Sequence, residues 1–233
     1  MAVKDLPSDR SPGLDGFLGA FYKAAWSIIK QDLLNTFTTL WSFDAQSFHL
    51  LNDALMILLR KTDSPTRLKD YGPIRLMHSF SKLFAKCLAR CLAPWLKEIV
   101  VPNQSAFIRG QSIHDNFRAV QLACCWLHCK KVMAILLKVD IAKAFDSVIW
   151  PFLIEVLNHI GFLRRWTNWI SILLSTTSTR VLVNGMAGRR IAHARGLRQE
   201  DPISLMLFII IMEALNSLFT EVDRRRALFS LPR

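Results

Sequence analysis

The stretch Met133-Ala134-Ile135-Leu136-Leu137-Lys138-Val139-Asp140-Ile141-Ala142-Lys143-Ala144-Phe145-Asp146 carries the reading of this chain. From Met133 to Val139 it is apolar except for Lys138, the pattern of a buried strand. That strand ends in Asp140, which sets a carboxylate at a strand's C-terminal end. Mg²⁺ prefers hard oxygen ligands, often one or two carboxylates with substrate phosphates. Two-metal phosphoryl transfer needs such carboxylates on a rigid scaffold. Taken alone, Asp140 reads more plainly as a polar strand terminus or a cap for the next turn, because strand-end Asp is common.

Outward from this stretch the pattern alternates between helix and strand. Downstream, Pro151 to Ile160 is a predicted helix with Pro in its first turn and Gly161 just past its end. Arg164 to Leu174 is a second helix. Arg180–Val183 and Ile191–Ala194 read as two strands joined by a turn that holds Asn184-Gly185 and Gly188. Pro202 to Val222 closes the series as a helix. Upstream, Ile113 to Leu127 is helical, Pro102 to Gln111 is a loop, and Phe80 to Leu92 carries a helical apolar stripe. Ser64 to Pro73 is polar and turn-rich, Leu55 to Leu59 is a short strand, and Phe17 to Trp41 is one long helix. Ser11 to Gly16 has loop chemistry. Helices with strands in this order predict an α+β fold, with a soft boundary near residue 110.

Composition narrows the class. Hydrophobic residues make up 52% of 233 residues, so this is a folding sequence with material for a sizeable core. Thirty Lys and Arg against eighteen Asp and Glu give a net charge of +12. A domain this basic commonly meets a polyanion, most often nucleic acid; an ordinary basic surface is the alternative. The five cysteines fall in helical patterns. The polar opening Met1–Arg10 is unlike a signal peptide, so the expectation is free thiols in a reducing nuclear or cytoplasmic compartment. Cys124, Cys125, His128 and Cys129 lack the second separated knuckle that zinc sites normally use. The apolar run Ile203–Met212 is shorter than the ~20 residues a spanning helix needs. It reads as a buried core helix, and no membrane partner is expected.

Several segments carry a family resemblance, and they cover the chain from about residue 11 to 219. Leu136 to Val148 closely resembles the first catalytic motif of reverse transcriptases from LINE-type (non-LTR) retrotransposons. Gly196-Leu197-Arg198-Gln199-Glu200-Asp201-Pro202-Ile203-Ser204-Leu205 looks like the family's next motif, which normally reads Arg-Gln-Gly-Asp-Pro and then Leu-Ser-Pro. Leu68 to Leu76 is similar to the fingers motif that normally reads Tyr-Arg-Pro-Ile-Ser. Ser11 to Phe17, Asn103 to Asn116, and the hairpin with its nearby arginines resemble three further segments in the family's order.

The resemblance implies the fingers and part of the palm of a right-hand polymerase. Residues 1–110 would form the fingers with an N-terminal helix. Residues 111–233 would form a partial palm with an incomplete antiparallel sheet and packed helices. It implies RNA-directed DNA synthesis on an RNA template from a DNA primer and dNTP substrates, with Mg²⁺ as cofactor. By the same resemblance, Asp140 is a metal ligand and catalytic residue, and the Ile141 carbonyl is a second ligand. Phe145 is the steric gate beneath the incoming sugar, and Gln199 contacts the nucleotide. Arg109, Arg189, Arg190, Arg195 and Arg198 meet nucleic acid, while Asp146 is structural.

Three positions depart from the family pattern. Gly72 stands where a triphosphate-gripping Arg is normal, Glu200 where a Gly is, and Leu205 where a Pro is. The family's remaining metal ligand comes from an Asp-Asp hairpin, and no Asp-Asp pair occurs in this sequence. The expectation is therefore an incomplete catalytic site and no polymerase activity from these residues alone. The alternative reading is a non-catalytic nucleic-acid-binding remnant of a decayed retroelement.

Overall fold

The computed structural model describes residues 2–8, 12–13, 15–42, 48–108, 110–199 and 201–227. Its sheet is built around β1 (Asp53–Arg60), whose apolar run suits a strand with neighbours on both edges. β2 (Tyr71–Met77) pairs with it antiparallel, from Ala54 opposite Met77 to Arg60 opposite Tyr71. β3 (Ser178–Val183) takes the other edge in parallel, from Asp53 opposite Ser178 to Ile57 opposite Leu182. The short strands β4 (Met186–Ala187) and β5 (Ile191–Ala192) both pair antiparallel with β3. The sheet is therefore mixed, where the family resemblance led us to expect an antiparallel one. Parallel strands need a long crossover, and the helices between residues 79 and 175 supply it. The β1–β3 step also joins chain from either side of residue 110. It is fastened by Asp53, which accepts from the Ser178 hydroxyl at 2.6 Å and lies 2.7 Å from Arg180 Nε.

The long N-terminal helix expected over 17–41 is two helices, α1 (Gly19–Ala24) and α2 (Trp26–Trp41), broken at Ala25. They are followed by α3 (Phe48–Leu51), α4 (Ser79–Leu92), α5 (Leu96–Ile99) and α6 (Ile113–Cys129). The remaining helices are α7 (Ala144–Ser147), α8 (Trp150–Ile160), α9 (Arg164–Ser175) and α10 (Ser204–Arg224). α8 begins with Pro151 in its first turn and stops at Gly161, whose φ of 96° is the left-handed conformation that glycine adopts freely.

The core lies where α4, α8, α9 and the first half of α10 meet. Phe84, Leu153, Trp169, Ile170 and Leu207 are essentially inaccessible there. Trp169 stacks on Trp41 at 5.9 Å and meets Phe84 edge-on at 5.0 Å. Full burial of side chains this size stabilises by about 1.5–3 kcal/mol each, so this block dominates the stability of the domain.

α10 runs 21 residues, longer than the apolar run alone indicated. By length and composition it is capable of crossing a membrane, and 17% of its most apolar window is buried. Its buried residues Ser204, Leu207, Ile209 and Ile210 belong to the first half, as expected of a core helix. Its second half exposes Leu218 and Phe219.

The segment 132–141 departs from its reading. It forms no strand, and Met133 and Ile135 are 99% and 97% exposed. α6, just before it, buries no residue. The apolar pattern describes the environment a strand requires but does not supply a partner for it. A ladder needs a neighbouring strand to take its N–H and C=O groups, and among the described residues none lies beside this segment.

Candidate functional site

Asp140 lies next to the end of the irregular segment 132–141 and is itself exposed. The chain then turns into α7 through Lys143, whose φ of 51° is unusual for a residue with a side chain. From here onward the first motif is held firmly by the second. The Leu197 N–H donates to the Phe145 carbonyl at 2.8 Å, and the Gly196 N–H donates to the Val148 carbonyl at 2.7 Å. The Trp150 indole returns a bond of 2.7 Å to the Gly196 carbonyl. Gly196 sits at φ 90°, and a Cβ there would lie 3.2 Å from Asp146 backbone atoms. Only glycine meets both demands without strain. Phe145 stacks on Phe208 of α10 at 4.8 Å. One face of its ring is thereby committed to the protein.

Arg198 follows, buried beneath the cleft. It donates to the Asn52 carbonyl, and the Asn52 amide in turn donates to the Leu173 carbonyl at 2.7 Å. Burial pulls the Arg198 pKa down to about 10, against the attraction of Asp201. Burial likewise pushes Asp201 up to about 6, with Arg198 and the Ile203 N–H pulling the other way. The His193 backbone N–H donates to the Thr177 carbonyl, and its ring meets the Thr179 hydroxyl at 2.8 Å. Its pKa is lowered, first by burial and then by Arg75 and Arg198.

Two cavities open around this junction. The larger, of about 440 Å³, is lined by Arg75, Lys143, Asp146, His193, Arg195 and Arg198 among others. The smaller, of about 100 Å³, is lined by Pro73, Arg75, Met77, Asp146, Arg198 and Gln199. Gln199 also borders a third cavity with Ser79, Lys82, Lys86 and Asp201. Gln199 and Asp146 therefore share a cleft. Asp140 lines none of the three.

The arginines divide in two. Arg189 and Arg195 are exposed. Arg190 is engaged by the Ser178 hydroxyl at 2.7 Å and the His49 carbonyl at 2.9 Å, and Arg198 is buried. Arg190 makes these bonds from an exposed position, and Arg198 makes its bond to Asn52 from inside the protein. Arg109 and Glu200 lie outside the described residues. In the fingers segment Gly72 faces Lys61, where an added Cβ would lie 3.3 Å from the lysine chain. Sequence reasoning gave no role to Arg75 or Lys143, yet both line the larger cavity. The signal for Arg75 was its two-residue spacing from Pro73 and Met77, which puts all three on one face of a strand.

The N-terminal segment is a fastener. Asp15 accepts from Ser79 N–H at 2.8 Å at the start of α4, and from Phe17 N–H at 3.3 Å. Gly13 packs so closely on the Met77 carbonyl that a Cβ would collide with it.

Helices around a small mixed sheet, with two motifs clasped beside a basic cleft, are consistent with a polymerase fold. The chain belongs to the reverse transcriptase family: residues 59–225 match the family described as reverse transcriptase (RNA-dependent DNA polymerase). Its relatives place it among non-LTR retrotransposon reverse transcriptase domains. It is similar to the Transposon TX1 uncharacterized 149 kDa protein of Xenopus laevis, at 26% identity over 91% of this chain and 16% of that protein. It is also similar to the Pol polyprotein of the type-2 retrotransposable element R2DM of Drosophila melanogaster, at 25% identity over 88% of this chain and 19% of that protein. A third relative is the Pol polyprotein of element R1 of Bradysia coprophila, at 29% identity over 60% of this chain and 14% of that protein. The chain thus spans less than a fifth of these relatives' lengths.

Proposed function

We propose that this domain is the fingers and part of the palm of an RNA-directed DNA polymerase, with residues 1–110 as fingers and 111–233 as palm. The observation that carries this is the clasp of Gly196 and Leu197 on Phe145 and Val148, which supports a single site built from the two motifs. In this reading Gln199 contacts the incoming nucleotide beside the cleft, and Phe145 limits the room beneath its sugar. Arg109, Arg189 and Arg195 meet the RNA template and DNA primer. Arg190, itself exposed and braced by His49 and Ser178, adds to that surface, and buried Arg198 supports it through its bond to Asn52.

Reverse transcriptases generally use divalent metal ions. This chain's contribution to a Mg²⁺ site would be the Asp140 carboxylate and the Ile141 carbonyl. Among the described residues no group of three or more metal-ligating side chains comes together. The residues here do not fit a two-ion centre by themselves, and no catalytic step is derived through one.

The test is fluorescence anisotropy of an RNA–DNA template–primer with the chain at rising salt. Phosphate contacts release counterions, so affinity is expected to fall steeply, by about tenfold or more between low and moderate salt. Affinity that does not change with salt, or no binding at low salt, overturns the reading.

A further inference from the structure

The corner between α4 and α5 and the corner between α8 and α9 border one cavity of about 440 Å³, and none of its lining residues borders the cleft around Asp146. Each corner is fixed by its own backbone bonds. The Trp95 N–H donates to the Leu92 carbonyl at 3.0 Å, and the Glu98 and Ile99 N–H groups donate to the Trp95 carbonyl. Trp95 and Glu98, three residues apart across this helical turn, both line the cavity. In the second corner Gly161 ends α8 in the left-handed conformation, and the Phe162 N–H donates back to the Leu157 carbonyl at 3.1 Å. That reversal brings Phe162 into a stack with Trp166 of α9 at 4.7 Å. An added Cβ at Gly161 would meet nothing within 4 Å, so the cavity is open beside it.

The lining sets the chemistry of a ligand. Three aromatic side chains, Trp95, Phe162 and Trp166, border the cavity, and among the described residues its one charged side chain is Glu98. In a chain with thirty Lys and Arg, neither type lines this cavity. Glu98 makes no ion pair among the described residues. Ring faces attract cations, and the carboxylate fixes the same sign while opposing a phosphate. The kind of cation follows from its donors. A guanidinium carries five N–H groups and an ammonium three. One carboxylate among apolar walls leaves most of them unsatisfied, which is costly once water is displaced. A quaternary ammonium has no N–H to satisfy and spreads its charge over methyl groups that suit apolar walls.

We infer that this cavity binds a quaternary ammonium group, with Trp95, Phe162 and Trp166 as aromatic walls and Glu98 as the counter-charge. Its volume lies in the range of ligand pockets and leaves room for the chain that carries the cation. The group arrives either on a choline-type small molecule or as the trimethylated side chain of a lysine in a peptide. The site stands apart from the nucleic-acid surface and does not depend on the polymerase reading.

Titration of the whole chain with choline, followed through the tryptophan indole N–H signals by nuclear magnetic resonance at constant ionic strength, tests the proposal. The Trp95 and Trp166 signals should shift and saturate. The neutral tert-butyl analogue of choline, with carbon in place of nitrogen, has the same shape and should bind about tenfold or more weakly. Trp95→Ala and Glu98→Gln alter exposed side chains, so both should keep the wild-type Tm while the choline Kd rises by about tenfold in the first and severalfold in the second. An analogue that binds as tightly as choline overturns the proposal, since the cavity is then merely apolar. Indole signals that choline leaves unmoved, or variants with wild-type affinity, overturn it as well. N-acetyl-trimethyllysine methylamide then identifies the source. Tighter binding than choline assigns a modified peptide, weaker binding assigns a small molecule, and either result supports the site. Equal binding of the unmethylated lysine amide overturns it.

Discussion

The helix pair α8–α9 and the segment 132–141 are near neighbours in sequence, and both are rich in apolar residues. Leu153 and Leu157 on α8 and Trp169 on α9 are fully buried, while Met133 and Ile135 are almost entirely open to solvent. A helix satisfies its own backbone and needs only a surface for its apolar stripe. α8 and α9 find that surface on each other, on α4 and on α10. A strand cannot satisfy its backbone alone, so the same apolar content stays unused at 132–141 until a partner strand is present. Apolar pattern is thus self-sufficient in a helix and conditional in a strand.

The contrast is open to direct attack. Trp169→Ala should lower stability by about 3–5 kcal/mol, whereas Ile135→Ala should stay within about 0.5 kcal/mol. Urea denaturation of the two variants is the measurement, and equal effects would erase the distinction between the regions. Gly196→Ala tests the clasp that ties the first motif to the packed block. Its strained φ and the contact with Asp146 should cost about 1–3 kcal/mol and speed hydrogen exchange at Leu197. Native exchange in such a variant would show that the clasp is dispensable.

A smaller effect is expected from pH. Asp201 has its pKa pushed up to about 6 from 3.8 by burial. An acid with a raised folded pKa holds its proton more tightly folded than unfolded. Its stabilising share is full below the unfolded value and is lost as pH rises to about 6. Asp201→Asn should therefore flatten the fall in Tm across about pH 4 to 6, and an unaltered slope would place the titration elsewhere. The smallest change in stability belongs to Met133→Ser with Ile135→Ser, which should nonetheless improve solubility by breaking an exposed apolar patch. Size-exclusion chromatography gives the answer, and wild type eluting as a well-behaved monomer would count against the patch as a liability.

Much of the helical architecture was legible because its signals are local. Pro151 and Gly161 bracket α8 to within a residue, and the apolar stripe of α4 needs no knowledge of the rest of the chain. β2 was harder to see, because Gly72-Pro73 reads as a turn. Proline is tolerated there because β2 is the edge strand of the sheet, where a missing N–H interrupts no ladder on the open side. The break at Ala25 has no marker in the sequence. In the site, motif order grouped Asp140, Phe145 and Gln199 around one cleft; Gln199 lines it, while Asp140 lies on the irregular segment and lines none of the three cavities. The cleft's second wall was not readable, since Arg75 and Asp146 line one cleft only through the register of β1 and β2 and the docking of residues 196–197.

The parallel seam between β1 and β3 has a further consequence, for the order of events in folding. Asp53 and Ser178 are 125 residues apart. The hairpin of β1 and β2 closes over a short loop and can form early, but the other edge of β1 stays open until Ser178 has been synthesised and delivered. Closing so long a loop is slow. During that interval the chain between them already contains 132–141, an apolar, extended-prone segment with no strand partner among the described residues. It is a ready competitor for the waiting edge, so the segment left over in the folded domain is also a source of misassembly.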